Sequence, residues 1–228
     1  MATIADKLQL VRARINQACS RVGRKTDSVN LLAVSKTFPA EKVREAFHAG
    51  QHSFGENYVQ EGVDKIAALA DLRSEIEWHM IGPLQSNKTR VVAEQFDWVH
   101  AIDRLKIAER LSAQRPAHLA PLQVCIQVNT SGEESKSGVA PQEALALARA
   151  VRELPHLELR GVMALPAPSP DPEIQREALK AVKTIFDALV DEGIPLDTLS
   201  MGMSTDLEAA VEVGSTMLRV GTALFGNR

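Results

Sequence analysis

The sequence predicts a (β/α)8 TIM barrel with an extra N-terminal helix, and three observations predict it. Short apolar runs of strand length recur eight times along the chain. Segments with helical apolar spacing separate them. The length of 228 residues suits one such barrel. A doubly wound open sheet is the competing architecture, but it would carry a GxGxxG turn after its first strand, and none is present. No Pro/Gly-rich linker divides the chain, so residues 1–228 are read as a single domain. Ala167-Pro168-Ser169-Pro170-Asp171-Pro172 is stiff, yet it stands where a strand-to-helix loop belongs.

The elements follow in order. Ile4, Leu8, Val11, Ile15, Cys19 and Val22 recur at steps of three and four, and Gly23 ends that helix. Strands are expected over residues 29–35, 52–55, 76–81, 98–102, 122–129, 159–165, 198–201 and 217–220. Pro39 stands near the start of one intervening helix. Asp103 is the expected N-cap of another, with Leu105, Ala108 and Leu111 facing inward. Pro141 and Pro172 occupy first-turn positions, the latter behind a capping Asp171. The helix after Pro172 turns Ile174, Ala178, Val182, Ile185, Phe186 and Leu189 inward and stops at Gly193.

Composition narrows the function classes. Hydrophobic residues at 45% and a net charge of −3 describe an ordinary soluble protein, without a nucleic-acid surface or a disordered tail. No apolar stretch approaches the roughly 20 residues of a membrane span. The N-terminus lacks a basic region followed by a hydrophobic segment, so no secretory signal is read. Cys19 and Cys125 form no close-spaced motif and are read as buried thiols in a reducing, cytoplasmic setting. The six histidines show no HxxxH spacing and no cysteine partners, so no metal is expected.

The chemistry starts at Lys36, at the downstream end of the run Val29-Asn30-Leu31-Leu32-Ala33-Val34-Ser35. An amine leaving an apolar core can supply the neutral nucleophile for a Schiff base with an aldehyde. In a barrel of this kind, functional groups gather at the C-terminal strand ends, with phosphate bound by the last two strand–helix loops. The seventh strand is followed by Gly202-Met203-Ser204-Thr205-Asp206, where Ser204 or Thr205 can cap the next helix beside its first amides. The eighth runs Arg219-Val220-Gly221-Thr222, offering a glycine for close backbone approach and a hydroxyl. These loops are expected opposite Lys36 across the barrel mouth. An imine lysine plus a phosphate cup suits pyridoxal 5′-phosphate (PLP); a class I aldolase acting on a sugar phosphate meets the same demands. An inward Arg219 would favour PLP, since an arginine beside the pyridine nitrogen leaves that nitrogen unprotonated.

The chain resembles the pyridoxal phosphate homeostasis protein family nearly end to end. The resemblance rests on Ala33-Val34-Ser35-Lys36, Phe54-Gly55-Glu56-Asn57-Tyr58-Val59-Gln60-Glu61 and Trp78-His79-Met80-Ile81-Gly82-Pro83-Leu84-Gln85-Ser86-Asn87-Lys88. It continues through Val128-Asn129-Thr130, Gly161-Val162-Met163, Leu199-Ser200-Met201-Gly202-Met203-Ser204 and Arg219-Val220-Gly221-Thr222-Ala223-Leu224-Phe225-Gly226. It implies a fold-type III PLP-binding barrel similar to the N-terminal domain of alanine racemase. It implies Lys36 as the imine lysine, Ser204, Gly221 and Thr222 at the phosphate, Arg219 at the pyridine nitrogen and Asn57 near the ring. The implied role is PLP binding and homeostasis, without established turnover and with apo-PLP enzymes as recipients.

Alanine racemases add a C-terminal β domain whose tyrosine serves as a second acid–base group. Here the sequence ends at Arg228 and Tyr58 is its single tyrosine, so no second base is visible and a monomer is expected. A narrow amino-acid racemase remains the alternative function, and the aldolase the third. His79 is expected as a packed, hydrogen-bonded core histidine. Asn87, Lys88 and Arg90 are read as a solvated helix face. The polar loop over residues 129–138 is longer than a connector needs, and its Lys136 is a candidate transient holder of PLP.

Overall fold

In a computed structural model, residues 2–132, 137–167 and 169–226 are described. The parallel strands β1 (Asn30–Val34), β2 (Ser53–Glu56), β3 (Glu77–Met80), β4 (Trp98–Ile102), β5 (Leu122–Val128), β6 (Leu157–Ala164), β7 (Thr198–Ser200) and β8 (Met217–Val220) pair in sequence order into a closed barrel. Closure is made by β8 lying beside β1, with Asn30 opposite Met217 and Ala33 opposite Val220. Each strand expected from the sequence is present, and residues 98–102 and 217–220 agree to the residue.

Helices cover the barrel. They are α1 (Ile4–Arg21), α2 (Ala40–His48), α3 (Val59–Ala68), α4 (Thr89–Gln95), α5 (Leu105–Gln114), α6 (Ala144–Arg152), α7 (Pro172–Asp191), α8 (Leu207–Val213) and α9 (Thr222–Phe225). The extra helix α1 begins with a capping box between Thr3 and Asp6, then packs against α2, α8 and α9. Asp171 caps α7 as expected, accepting from the Glu173 amide at 2.8 Å.

Some expectations need correcting. The N-cap of α5 is Arg104, and Asp103 instead pairs with that guanidinium at 2.7 Å. The inward set of α5 is Ile107, Ala108 and Leu111, while Leu105 is 37% exposed. Ile174 is likewise outward on α7, where Leu179, Val182 and Leu189 are buried. A strand's two faces explain the core. Ala33, Trp78, Met80, Val124, Ile126, Leu218 and Val220 point outward and join the helix-facing core. Leu32, Val34, Ile81 and Met217 make a small apolar cluster, and Trp98, Cys125 and Met163 another. Between them the buried set includes polar residues: His79, His100, Ser200 and Arg219.

Candidate functional site

Lys36 leaves the end of β1 half-buried, directly after a fully buried Ser35. The backbone on either side of it is tied down. The Ser35 carbonyl accepts a hydrogen bond from Lys65 Nζ at 2.6 Å. Lys65 also donates to Glu56 Oε1 at 2.8 Å and to Glu61 Oε1 at 2.7 Å. Ser35 Oγ donates to the same Glu56 oxygen at 2.5 Å. On the other flank the Thr37 amide donates to Glu61 Oε1, and Thr37 holds a φ of 66°. A left-handed β-branched residue is strained, so the clamp holds the chain where it would not rest alone. Burial pushes the Glu56 carboxyl upward, against the pull of Lys65 and its hydrogen bonds.

Lys65, Glu56 and Glu61 were not singled out as site residues by sequence reasoning. The i, i+4 spacing of Glu61 and Lys65 was visible, but that pattern ordinarily marks a solvated helix face. Only the packing of α3 against β2 and β3, which brings Lys65 onto Glu56 and the Ser35 carbonyl, buries the lysine.

A cavity of 550 Å³ opens at the C-terminal strand ends, lined among others by Lys36, Asn57, Arg219, Gly221 and Thr222. Its walls are largely apolar, from Val34, Ile81, Val128, Leu165 and Met203. Asn57 is set by Gly82: a Cβ there would strike the Asn57 carbonyl oxygen and meet its Cα at 2.8 Å. Gly221 sits against Val34, whose carbonyl oxygen would be 3.2 Å from an added Cβ. Because β8 pairs with β1, Gly221 and Thr222 lie beside Lys36, not across the mouth from it. The Phe38 and Phe225 rings, 5.2 Å apart and stacked, join the two loops behind them.

Arg219 turns into the barrel and is 4% exposed. Its Nη1 donates to the Ser200 carbonyl at 2.6 Å and to Ser200 Oγ at 2.7 Å. Its Nη2 donates to the Ala164 carbonyl at 2.8 Å. A guanidinium has five N–H donors, so these three bonds fix the plane and leave donors for the cavity. Burial brings its pKa down to about 10, still cationic at neutral pH.

The loop after β7 contributes unevenly. Ser204 Oγ accepts from the Ala223 amide at 3.4 Å, which brings it to the first turn of α9. Neither Ser204 nor Thr205 caps α8; its N-cap is Asp206, whose side chain instead accepts from the Met203 amide at 2.6 Å. Thr205 is exposed and borders a separate small cavity with Ala167, Ser169 and Asp206, so it does not share the Lys36 cavity. Arg14 of α1 donates to the Ser204 carbonyl at 3.2 Å while it pairs with Glu208 at 2.7 Å.

The long loop after β5 is pinned at both ends to the cavity wall. The Asn129 amide donates to the Val139 carbonyl at 2.9 Å, and the Val139 amide to Gln127 at 2.8 Å. Lys136 lies outside the described residues. His79 is fully buried and hydrogen-bonded, and Asn87, Lys88 and Arg90 are exposed. Cys19 and Cys125 are free, buried thiols. Among the described residues no His, Cys, Asp and Glu cluster has the form of a metal site, and no helix is long and apolar enough to cross a membrane.

The residues fit PLP as a group: an amine at the rim, a buried guanidinium with donors to spare, and a glycine turn against the wall. The comparisons agree. The alanine racemase N-terminal domain family matches residues 7–228. A pyridoxal phosphate homeostasis protein of Pseudomonas aeruginosa is 57% identical over 228 residues, covering 100% of this chain and 97% of the relative. Its namesake in Escherichia coli is 55% identical over 229 residues, covering 100% and 98%. The structure of PipY from Synechococcus elongatus with PLP bound is 36% identical, with a TM-score of 0.82, over 95% of this chain and 100% of that one. Alanine racemase of Clostridium difficile shares the fold alone, at 14% identity and a TM-score of 0.75, over 98% of this chain and 57% of its own. With its barrel, its rim lysine and relatives matched over their whole length, this chain belongs to the pyridoxal phosphate homeostasis protein family.

Proposed function

We propose that this protein binds PLP through a Schiff base on Lys36 and serves PLP homeostasis as a carrier, with apo-PLP enzymes as recipients. The observation that carries the reading is one cavity of 550 Å³ shared by Lys36, Asn57, Arg219, Gly221 and Thr222. The PLP-bound relative, matched over 95% of this chain, supports it. When bound, PLP supplies an aldehyde that condenses with a neutral lysine amine, losing water, and a ring that withdraws electrons.

The chain's own residues divide the remaining work. Lys36 offers its amine from a backbone fixed by Lys65 and Glu61. Arg219 lines the same cavity as a cation and would meet the ring nitrogen there; keeping its own proton, it would leave a weaker electron sink. Gly221 and Thr222, with Ser204 at the first turn of α9, would hold the phosphate, and Asn57 would lie by the ring.

Among the described residues lining the cavity, Lys36 is the one side chain able to accept a proton. That favours carriage over the two-base, two-face exchange of a racemase.

The test is borohydride reduction of the yellow protein followed by peptide mapping. The label is expected on the Lys36 peptide, and Lys36→Ala is expected to fold without forming the adduct. Colourless protein, or label on other lysines, overturns the site. Rapid α-proton exchange with racemisation of L-amino acids in heavy water would overturn carriage in favour of the racemase.

A further inference from the structure

A file of hydrogen-bonded side chains crosses the barrel interior from one end to the other. Arg219 Nη1 donates to Ser200 Oγ at 2.7 Å, and Ser200 Oγ stands 3.1 Å from His100 Nδ1. His100 Nε2 stands 2.9 Å from His79 Nδ1, and His79 Nε2 is 2.9 Å from Glu77 Oε2. Ser200, His100 and His79 are fully buried. Arg219 lines the Lys36 cavity. Glu77 lines a second cavity, of 230 Å³, at the N-terminal strand ends with Asn30, Ser53, Gln123 and Arg160. Its side chain is 43% exposed, so the file has a wet end.

The donors in this file can be counted. A guanidinium only donates and an ionised carboxylate only accepts. Burial pushes the Glu77 carboxyl up, but the hydrogen bond and charge of His79, with a bond from Ser53, bring it to about 2. With both imidazoles neutral, one assignment satisfies every contact. Ser200 Oγ–H donates to His100 Nδ1, His100 Nε2–H to His79 Nδ1, and His79 Nε2–H to Glu77. Every donor then points from Arg219 toward Glu77.

A proton added to His79 reverses the two inner bonds, while His79 Nε2–H still donates to Glu77 and Arg219 still donates to Ser200. His79 Nδ1–H must now donate to His100 Nε2. Burial, then the charges of His79 and Arg219, hold His100 neutral, so its one proton moves to Nδ1 and donates to Ser200. Ser200 Oγ then accepts from His100 and Arg219 together. The neighbours of His79 allow such an ion. Trp98 stacks on its ring at 5.2 Å, and the Arg160 guanidinium covers that indole at 5.1 Å while paired with Asp197. Burial pushes the Cys125 thiol up to about 12, so β5 adds no charge there.

We propose that Ser200, His100, His79 and Glu77 are positioning residues for Arg219, and that the two inner hydrogen bonds, Ser200–His100 and His100–His79, reverse direction when His79 takes a proton from the N-terminal cavity. The effect on cofactor rests on the reading that Arg219 faces the PLP ring nitrogen. A reversed file makes Arg219 share its Ser200 acceptor, and so changes the donor it presents to the ring.

The experiment begins with PLP-free protein labelled with ¹⁵N at histidine and arginine, followed by NMR from about pH 5 to about pH 8, where histidines exchange protons. His100 is expected to stay neutral and to move its proton from Nε2 to Nδ1 at the midpoint where His79 becomes charged. The Arg219 guanidinium signals should shift with the same midpoint. Glu77→Gln, a close fit at a half-exposed position, should lower that midpoint by about one pH unit or more, tenfold in proton affinity. A His79 that takes no proton, a His100 tautomer that never changes, or a midpoint indifferent to Glu77→Gln overturns the proposal. In the PLP-loaded protein the visible imine band should change at that midpoint and follow it in Glu77→Gln. A pH-independent band beside switching histidines also overturns it. Protein that takes up no PLP defeats the binding reading instead, and the guanidinium signals of the free protein still decide the file.

Discussion

Lys65 shows how much a single buried side chain can set. It is 6% exposed, its Glu56 partner is fully buried, and together they hold the carbonyl just before Lys36. Removing one member of a buried pair typically costs about 3–5 kcal/mol, because the other charge is left uncompensated. Lys65→Met is therefore expected to lower unfolding free energy in urea by about 3 kcal/mol. The double substitution with Glu56→Gln should regain much of that loss. Equal losses in the single and double variants would mean that packing of the lysine stem, not the charge, is what matters. Lys36 and Arg219 stand out in the sequence because each interrupts apolar residues, Lys36 just past β1 and Arg219 within β8. Lys65 does not, since helical spacing alone does not say which polar face another strand will cover. Ser204 and Thr205 were not told apart for a related reason: two adjacent hydroxyls look alike in sequence, and only the turn decides which faces α9.

Among the elements, α1 is the one a plain barrel does without, and it acts on the site through Arg14. That residue joins Glu208 at the start of α8 to the carbonyl of Ser204. Both partners of the ion pair are about a third exposed, which limits its stability contribution to below about 1 kcal/mol. Arg14→Gln should leave the unfolding midpoint nearly unchanged while weakening PLP affinity several-fold, as read by titration of the visible band. Unchanged affinity would show that the Ser204 loop holds its shape without α1. Strand positions were readable because buried parallel strands are continuous apolar runs. Helix faces were less so: Ile107 replaced Leu105 once Asp103 turned from the cap to pair with Arg104.

For the whole molecule, acid should find the carboxylates first. Glu77, Asp197 and Glu208 sit below their ordinary values, Glu77 at about 2, with arginine or histidine partners outweighing burial. A depressed folded value adds stability above the unfolded value, and that stability is lost as pH falls through the folded one. For Glu77 the window runs from 4.5 down to about 2. Glu56 has the opposite sign, since burial raises it, and the strain of its charge is relieved over the acid range. Urea unfolding should show stability falling below about pH 4.5, with a shallower slope in Glu77→Gln. An identical slope in that variant would remove Glu77 from the acid response. The ring closure itself was legible from eight apolar runs of strand length, but not the adjacency it creates, which depends on which strands meet at the seam.

That seam has a consequence for how the protein is made. Lys36 is synthesised well before Gly221 and Thr222, yet they share one wall. A ribosome-bound chain short of its final strand would own the reactive amine and nothing to anchor a ligand's far end. Retention of a ligand by this pocket would thus certify that the eighth strand had arrived and the ring had shut.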